Sequence, residues 1–326
     1  MITYRLLSPL LIGLFLYAGC TSNQAHQVEP QMIRLQVKAK NPTRLLDYYF
    51  SAYLSPDGGD PFKEGLVVEK DGDFFLSRDR LMEVAPFAVP YLDSLRGGRS
   101  ALSWEALRTF VHKTYYAARP LPPDLDHLRQ EVPYGRNKDW FVVDIHAVFT
   151  AALRRIYVPV RAMRSALEHY QENNRRLIYP VGTTIVAEHL MDDTLAEVTA
   201  IRKRPDGEWD FFAYDASGKL TPRTHTPPRS LKIPVQCAGC HLGSRLFEPE
   251  KSFPKPAPPG PHGPRAIYVD EDMKNPTVVR FFQEHAKRSD TVLGIYNTLF
   301  VSKLLALRAK GELPPEDQQL LEKLGL

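Results

Sequence analysis

Leu195-Ala196-Glu197-Val198-Thr199-Ala200-Ile201-Arg202-Lys203-Arg204-Pro205-Asp206-Gly207-Glu208-Trp209-Asp210-Phe211-Phe212-Ala213-Tyr214 is a strand, a turn and a strand. The first run, 195–204, places Val198 and Ile201 among polar residues. The second, 209–214, is aromatic and ends at Asp215-Ala216-Ser217-Gly218. Pro205-Asp206-Gly207 joins them as a strong turn, because Pro fixes φ and Gly accepts a left-handed backbone. Just upstream, 177–190 is rich in Ile, Val and Thr and reads as a further strand with a turn at Pro180 to Gly182. A small antiparallel sheet is therefore expected in this part of the chain.

Towards the N-terminus the pattern changes, and residues 31–175 read as a mainly helical domain. Asn41-Pro42-Thr43 precedes an apolar-aromatic run at 44–53 and starts a helix. Residues 78–95 carry Leu81, Val84, Ala85, Ala88 and Leu92 at helical spacing. Pro86 and Pro90 must distort that helix, and Gly97-Gly98 ends it. Ser103 can cap the next helix, with Trp104, Leu107, Phe110 and Val111 on one face. The aromatic run from Phe110 to Tyr116 serves core packing or, alternatively, a partner. The longest helical candidate spans 139–170, with Val142, Val143, Ala147, Ala151 and Leu153 apolar and a kink or break at Pro159. Val68 to Asp73 resembles part of a calcium loop but lacks its full set of oxygen ligands, so a hairpin turn at Asp71-Gly72 is expected. Residues 176–326 form the second domain. There, 254–264 is a Pro/Gly loop, and 277–287, 291–310 and 315–324 read as helices. The fold class expected is α+β: a helical N-terminal region, a small antiparallel sheet, and C-terminal helices.

About twenty residues beyond the hairpin stands Cys237-Ala238-Gly239-Cys240-His241, the C-x-x-C-H signature of covalent haem attachment. Two thiols three positions apart can each add to a haem vinyl group, and the adjacent His241 then offers an imidazole nitrogen to the iron. One covalent haem c is therefore expected. A redox dithiol would use the same cysteines, but normally within a thioredoxin-like βαβ unit, which is lacking. A zinc site would need two more ligands at suitable spacing. For the distal side of the iron, the candidates downstream are Met273, His262 and His285, or an open position. A Met ligand would raise the potential and suit electron transfer.

The first nineteen residues read as a signal peptide, with Arg5 ahead of an apolar stretch from Leu6 to Tyr17. Ala18-Gly19-Cys20 resembles a bacterial lipobox, which makes Cys20 the lipidation site and 20–30 a membrane-anchored tether. An exported, periplasmic location follows, on either membrane. Apolar residues make up 43% and charged residues 25% of the 326-residue chain, a globular composition without polytopic membrane character. The net charge is +4, and removing Arg5 with the leader leaves +3, too little to argue for nucleic acid. Proline is abundant at 28 residues and clusters in loops.

The segment from Tyr179 to His241 resembles the cytochrome P-460 and cytochrome c′-beta family. The resemblance is carried by Tyr179-Pro180-Val181-Gly182-Thr183, Ala200-Ile201-Arg202-Lys203, Gly207-Glu208-Trp209, Asp215 to Lys219 and the C-x-x-C-H motif. It implies a β-sheet lying over a five-coordinate c-haem, and chemistry on hydroxylamine, nitric oxide or peroxide. Hydroxylamine-oxidising members cross-link a strand Lys to the haem. Residues 183–190 contain no Lys; Ala187 and Glu188 stand in its place, and Lys203 lies in a basic turn. That departure argues against the cross-link. Glu188 and His189 are the candidate distal or catalytic groups, the alternative being ordinary strand alternation. Two functions follow as expectations. One is an exported monohaem electron-transfer protein with a redox partner protein. The other is a haem enzyme or gas-binding protein.

Overall fold

In the computed structural model, residues 31–146, 152–227, 230–241, 267–268 and 294–326 are described. The architecture is α+β, with two sheets and helices packed around them. Near the N-terminus β1 (Met32–Leu35), β2 (Val67–Lys70), β3 (Asp73–Ser77) and β4 (Ala101–Leu102) form a four-stranded sheet in the order β2-β3-β1-β4. β1 runs antiparallel to β3 and parallel to β4. Asp71 and Gly72 join β2 to β3 with φ of 54° and 80°. Two consecutive positive φ values make the hairpin turn that Asp-Gly favours.

Helix α1 (Pro42–Leu54) begins where Asn41 Oδ1 accepts from the Arg44 amide at 3.1 Å. It buries Leu45, Leu46, Tyr48, Tyr49 and Phe50. The segment 78–95 is broken by its prolines into α2 (Arg78–Val84), a 3-10 turn at Pro86–Ala88 and α3 (Val89–Arg96). Gly97, at φ 59°, ends α3 in a left-handed cap. Ser103 caps α4 (Trp104–Thr114) by accepting from Ala106 N at 3.2 Å. Helix α5 (Leu125–Glu131) follows.

The second sheet has seven strands. They are β5 (Trp140–His146), β6 (Leu153–Pro159), β7 (Thr184–Met191), β8 (Thr194–Lys203), β9 (Trp209–Asp215), β10 (Leu220–Thr221) and β11 (Ile267–Tyr268). Their order is β10-β9-β8-β7-β6-β5-β11, with every pairing antiparallel. Helices α6 (Val160–Glu168), α7 (Val235–His241), α8 (Gly294–Lys310) and α9 (Pro315–Lys323) complete the described elements.

This corrects the helix expected over 139–170. Residues 140–146 and 153–159 are two paired strands, and among the described residues of that stretch only 160–168 is helical. Trp140 to His146 is a run of aromatic and β-branched residues in which Phe141 and Val143 enter the core with period two. Pro159 stands at the start of α6 and does not kink a longer helix. The sheet is accordingly larger than expected and has strands on both sides of residue 175. The Pro/Gly loop and the expected helix at 277–287 lie outside the described residues.

Alternation divides this sheet into two faces. Phe141, Val143, Ile156, Val158, Ile185, Ile201, Phe211 and Ala213 join the main core with residues of α1, α4, α6, α7, α8 and α9. Val186, Val198, Ala200, Phe212 and Tyr214 pack against Leu125 and Leu128 of α5. A buried ionic group ties the β8–β9 hairpin to α1. Asp210 lies 3.2 Å from Arg119 Nε and 3.8 Å from Arg204 Nη1. Arg204 also meets Ser51 and Asp206. The Tyr115 hydroxyl donates to Asp210 at 3.2 Å, and the Tyr48 hydroxyl donates to the Trp209 carbonyl at 3.1 Å.

Candidate haem-attachment site

Helix α7 consists of Val235-Gln236-Cys237-Ala238-Gly239-Cys240-His241. Successive residues turn about 100° around an α-helix, so positions 237, 240 and 241 fall within one arc of about 100°. The two cysteine positions and the histidine position thus share a face. Val235 and Ala238 point elsewhere and are buried in the main core, while Cys237 is half-buried at its margin. The side chains of Cys240 and His241 lie outside the described residues, as do Met273, His262, His285 and Cys20 in full.

The frame around α7 comes from distant parts of the chain. His112, near the end of α4, has Nδ1 2.8 Å from the Ile233 carbonyl, two residues before α7 begins. Burial depresses its pKa, and Arg223, Lys232 and Lys113 depress it further, so the ring is neutral and Nδ1–H donates to the carbonyl. Tyr116 anchors the other side. Its hydroxyl donates to the Thr221 carbonyl at 2.6 Å and accepts from Ala213 N at 3.3 Å. Thr221 and Ala213 are paired residues of β10 and β9, so the phenol bridges a rung of the ladder. Burial raises the Tyr116 pKa strongly.

Glu188 and His189 do not share a pocket. They are neighbours on β7, and successive strand residues face opposite ways. His189 is on the face that carries α7. It is buried, with Nε2 3.0 Å from Thr199 Oγ1 and Nδ1 3.4 Å from Thr226 Oγ1. Glu197 Oε1 lies 3.6 Å from the same Nδ1. Burial, with the Arg154 guanidinium, nevertheless holds the His189 pKa down at about 3. Glu197 is itself fully buried. Its carboxylate accepts from the His225 and Thr226 amides and, at 2.8 Å, from Thr226 Oγ1. Residues 225 and 226 lie on the loop leading to α7, so Glu197 fastens that loop to the sheet.

Glu188 is on the α5 face, where it accepts from the Tyr157 hydroxyl at 2.8 Å. Nearby Arg155 forms a two-pronged pair with Asp144 at 3.0 and 3.2 Å. On the α7 face a row of small side chains, Ala213, Thr199 and Ala187, crosses β9, β8 and β7 in register. Ala187 and Thr199 are half-exposed there, although both belong to interior strands.

The donor set on α7 fits a covalently bound haem: two thiol positions and one imidazole position on one helical face, with the rest of the helix anchored in the core. Sequence reasoning did not find His112, Tyr116 or Glu197. Their partners lie 121, 105 and 28 or 29 residues away in the chain, and no local pattern marks such contacts. No protein-family model, curated protein or solved structure matches the chain.

Proposed function

We propose that the chain is an exported monohaem c-type cytochrome that transfers electrons. The haem is bonded to Cys237 and Cys240, and His241 is the proximal iron ligand. The carrying observation is the backbone of α7, which puts positions 237, 240 and 241 on one face of a core-anchored helix. The haem supplies a one-electron iron centre. The cysteines keep it in place and His241 orients it. Val235 and Ala238 fix the helix, and His112 and Tyr116 hold its approach. Met273, His262 and His285 are the distal candidates. Cleavage before Cys20 and acylation of that cysteine would anchor the protein to a periplasmic membrane surface and bring it to a redox partner protein. No helix among the described residues is long and apolar enough to cross a membrane.

A second reading is an open-iron haem protein acting on hydroxylamine, nitric oxide or peroxide. It is favoured by the antiparallel strands before the motif, as in the cytochrome P-460 and c′-beta resemblance. The half-exposed Ala187 and Thr199 on the α7 face, beside His189, also favour it.

One experiment tests both. The matured protein is run on a denaturing haem-stain gel, then ferric and ferrous spectra are recorded with and without nitric oxide. Covalent haem with a low-spin ferrous spectrum indifferent to nitric oxide is expected for the electron carrier. A high-spin spectrum that shifts with nitric oxide would replace it with the second reading. An unstained band would remove both.

A further inference from the structure

Helix α3 and the 3-10 turn before it carry apolar residues on both sides. Ala85, Ala88, Val89 and Leu92 are buried. The exposed positions between 86 and 94 are Pro86, Phe87, Pro90, Tyr91 and Ser94, without a charge among them. A surface helix ordinarily turns charged and polar side chains to water. Met82, on α2, is exposed as well. A single exposed apolar side chain needs no explanation. Here Met82, Phe87 and Tyr91, at 44, 39 and 47% exposure, are three of the five large ones among the described residues. Phe87 is held outward, its ring stacked on Tyr53 at 6.3 Å, with Tyr53 stacked in turn on Phe110 at 6.0 Å. The carboxylates around this face are occupied. Glu83 pairs with Arg80 at 2.9 Å, Asp93 pairs with Arg78 at 2.6 Å, and Asp79 accepts from the Gln31 amide at 2.9 Å.

The last of these contacts fixes where the chain comes in. Gln31 is joined to the first turn of α2 twice, since its carbonyl also accepts from Arg78 N at 3.0 Å. Met82 stands three residues beyond Asp79, roughly 5 Å along the helix. Ten residues separate Cys20 from Gln31, and such a segment spans at most about 40 Å. An acylated Cys20 would hold Gln31, and with it the start of α2, within that distance of its bilayer. We infer that Met82, Phe87 and Tyr91 form a membrane-resting face that lies against the headgroup–acyl boundary of the bilayer anchoring Cys20. The inference rests on the Cys20 acylation proposed above and not on the haem, and it goes beyond that reading by orienting the folded part on the lipid. Aromatic side chains such as Phe87 and Tyr91 suit a membrane interface, and Arg96 and Arg99, which follow them, suit anionic headgroups. A bilayer is favoured over a protein because it is the occupant that the chain's own anchor brings to this end of the fold.

The test uses the full matured chain in two forms. One is acylated and reconstituted in phosphatidylethanolamine/phosphatidylglycerol vesicles; the other is unacylated, exported behind a non-lipoprotein leader. The intact mass of each is read first. Hydroxyl-radical footprinting then follows individual side chains by mass spectrometry. Met82, Phe87 and Tyr91 should be modified about fivefold more slowly in the acylated protein on vesicles than in the unacylated protein without them. Ile178 and Val181, which are at least as exposed, should change by less than about twofold. The variant Met82→Ser/Tyr91→Ser leaves the Phe87 stack in place; in the unacylated form it should partition onto the same vesicles about tenfold more weakly than the native chain. Unchanged rates at the three residues, equal slowing at Ile178 and Val181, or equal partition of the variant overturn the inference while leaving acylation intact. It is equally overturned if the three residues are protected in the unacylated protein without vesicles as its concentration rises, which would make the face an interface between two copies. A native chain whose mass shows no acyl group removes the inference together with the reading on which it rests.

Discussion

The two faces of the seven-stranded sheet place neighbouring residues of β7 in opposite surroundings. On the α5 face Glu188 is half-exposed, bonded to one tyrosine and close to ion pairs that also reach water. On the α7 face His189 and Glu197 are buried and satisfied only by protein groups. A shift of one residue along a strand thus moves a titratable side chain from a screened to a low-dielectric setting. Around Glu188 the sheet is the wetter and more tolerant side. On the drier side around His189 and Glu197 the polar groups depend on specific partners, and Glu197 holds the loop that leads to α7.

The largest expected effect comes from Glu197→Ala. It would leave the Thr226 amide and hydroxyl buried, and the His225 amide part-buried, without their acceptor, at a cost on the order of 3 kcal/mol in urea unfolding. A change under about 1 kcal/mol would show that water replaces the carboxylate and that the two faces differ less than their burial indicates.

His189 provides the next test. Its folded pKa, about 3, lies below the ordinary value of 6.5, so the native state keeps it neutral while the unfolded chain takes up a proton. The stability due to neutral His189 is fully present above pH 6.5 and is lost as pH falls from there towards 3. The loss should run at about 1.4 kcal/mol per pH unit. Comparing His189→Gln with the native protein between pH 7 and about 4.5 isolates this slope, which the variant should lack. Parallel stability curves would show that the site admits a proton without opening.

The smallest effect is expected on the wet face. Tyr157→Phe removes the hydroxyl that donates to Glu188 and should cost about 1 kcal/mol or less by the same unfolding measurement. A loss as large as that of Glu197→Ala would erase the contrast.

Local chemistry made much of this architecture legible in the sequence. Asp71-Gly72 and Pro205-Asp206-Gly207 announced their turns because few residues accept φ above zero, and both glycines take it. Ser103 announced α4 by its hydroxyl, and the strands at 195–204 and 209–214 stand within a residue of where their composition put them. The segment 139–170 misled because Val142, Val143, Ala147 and Leu153 also satisfy a helical stripe. Only pairing with β7 makes the extended form the better burial. The cysteine motif is legible because its spacing is covalent chemistry. Its frame is not, since His112 meets Ile233 only after the chain has folded back across the sheet. Glu188 and His189 follow the ordinary strand alternation that the sequence also offered for them, with one residue on each face of β7.

The pairing of β6 with β7 bears on how the molecule can be dissected. From Leu153↔Leu190 to Tyr157↔Val186 these strands share a ladder that crosses residue 175. A fragment beginning at residue 176 would lack β5 and β6 and leave the backbone donors and acceptors of β7 as a raw edge. Bare edges recruit other chains. The half of the protein that holds the cysteine motif is therefore not a portable cassette. Grafted alone onto another scaffold it would be prone to aggregate, and its natural chaperone is the first half of its own sequence.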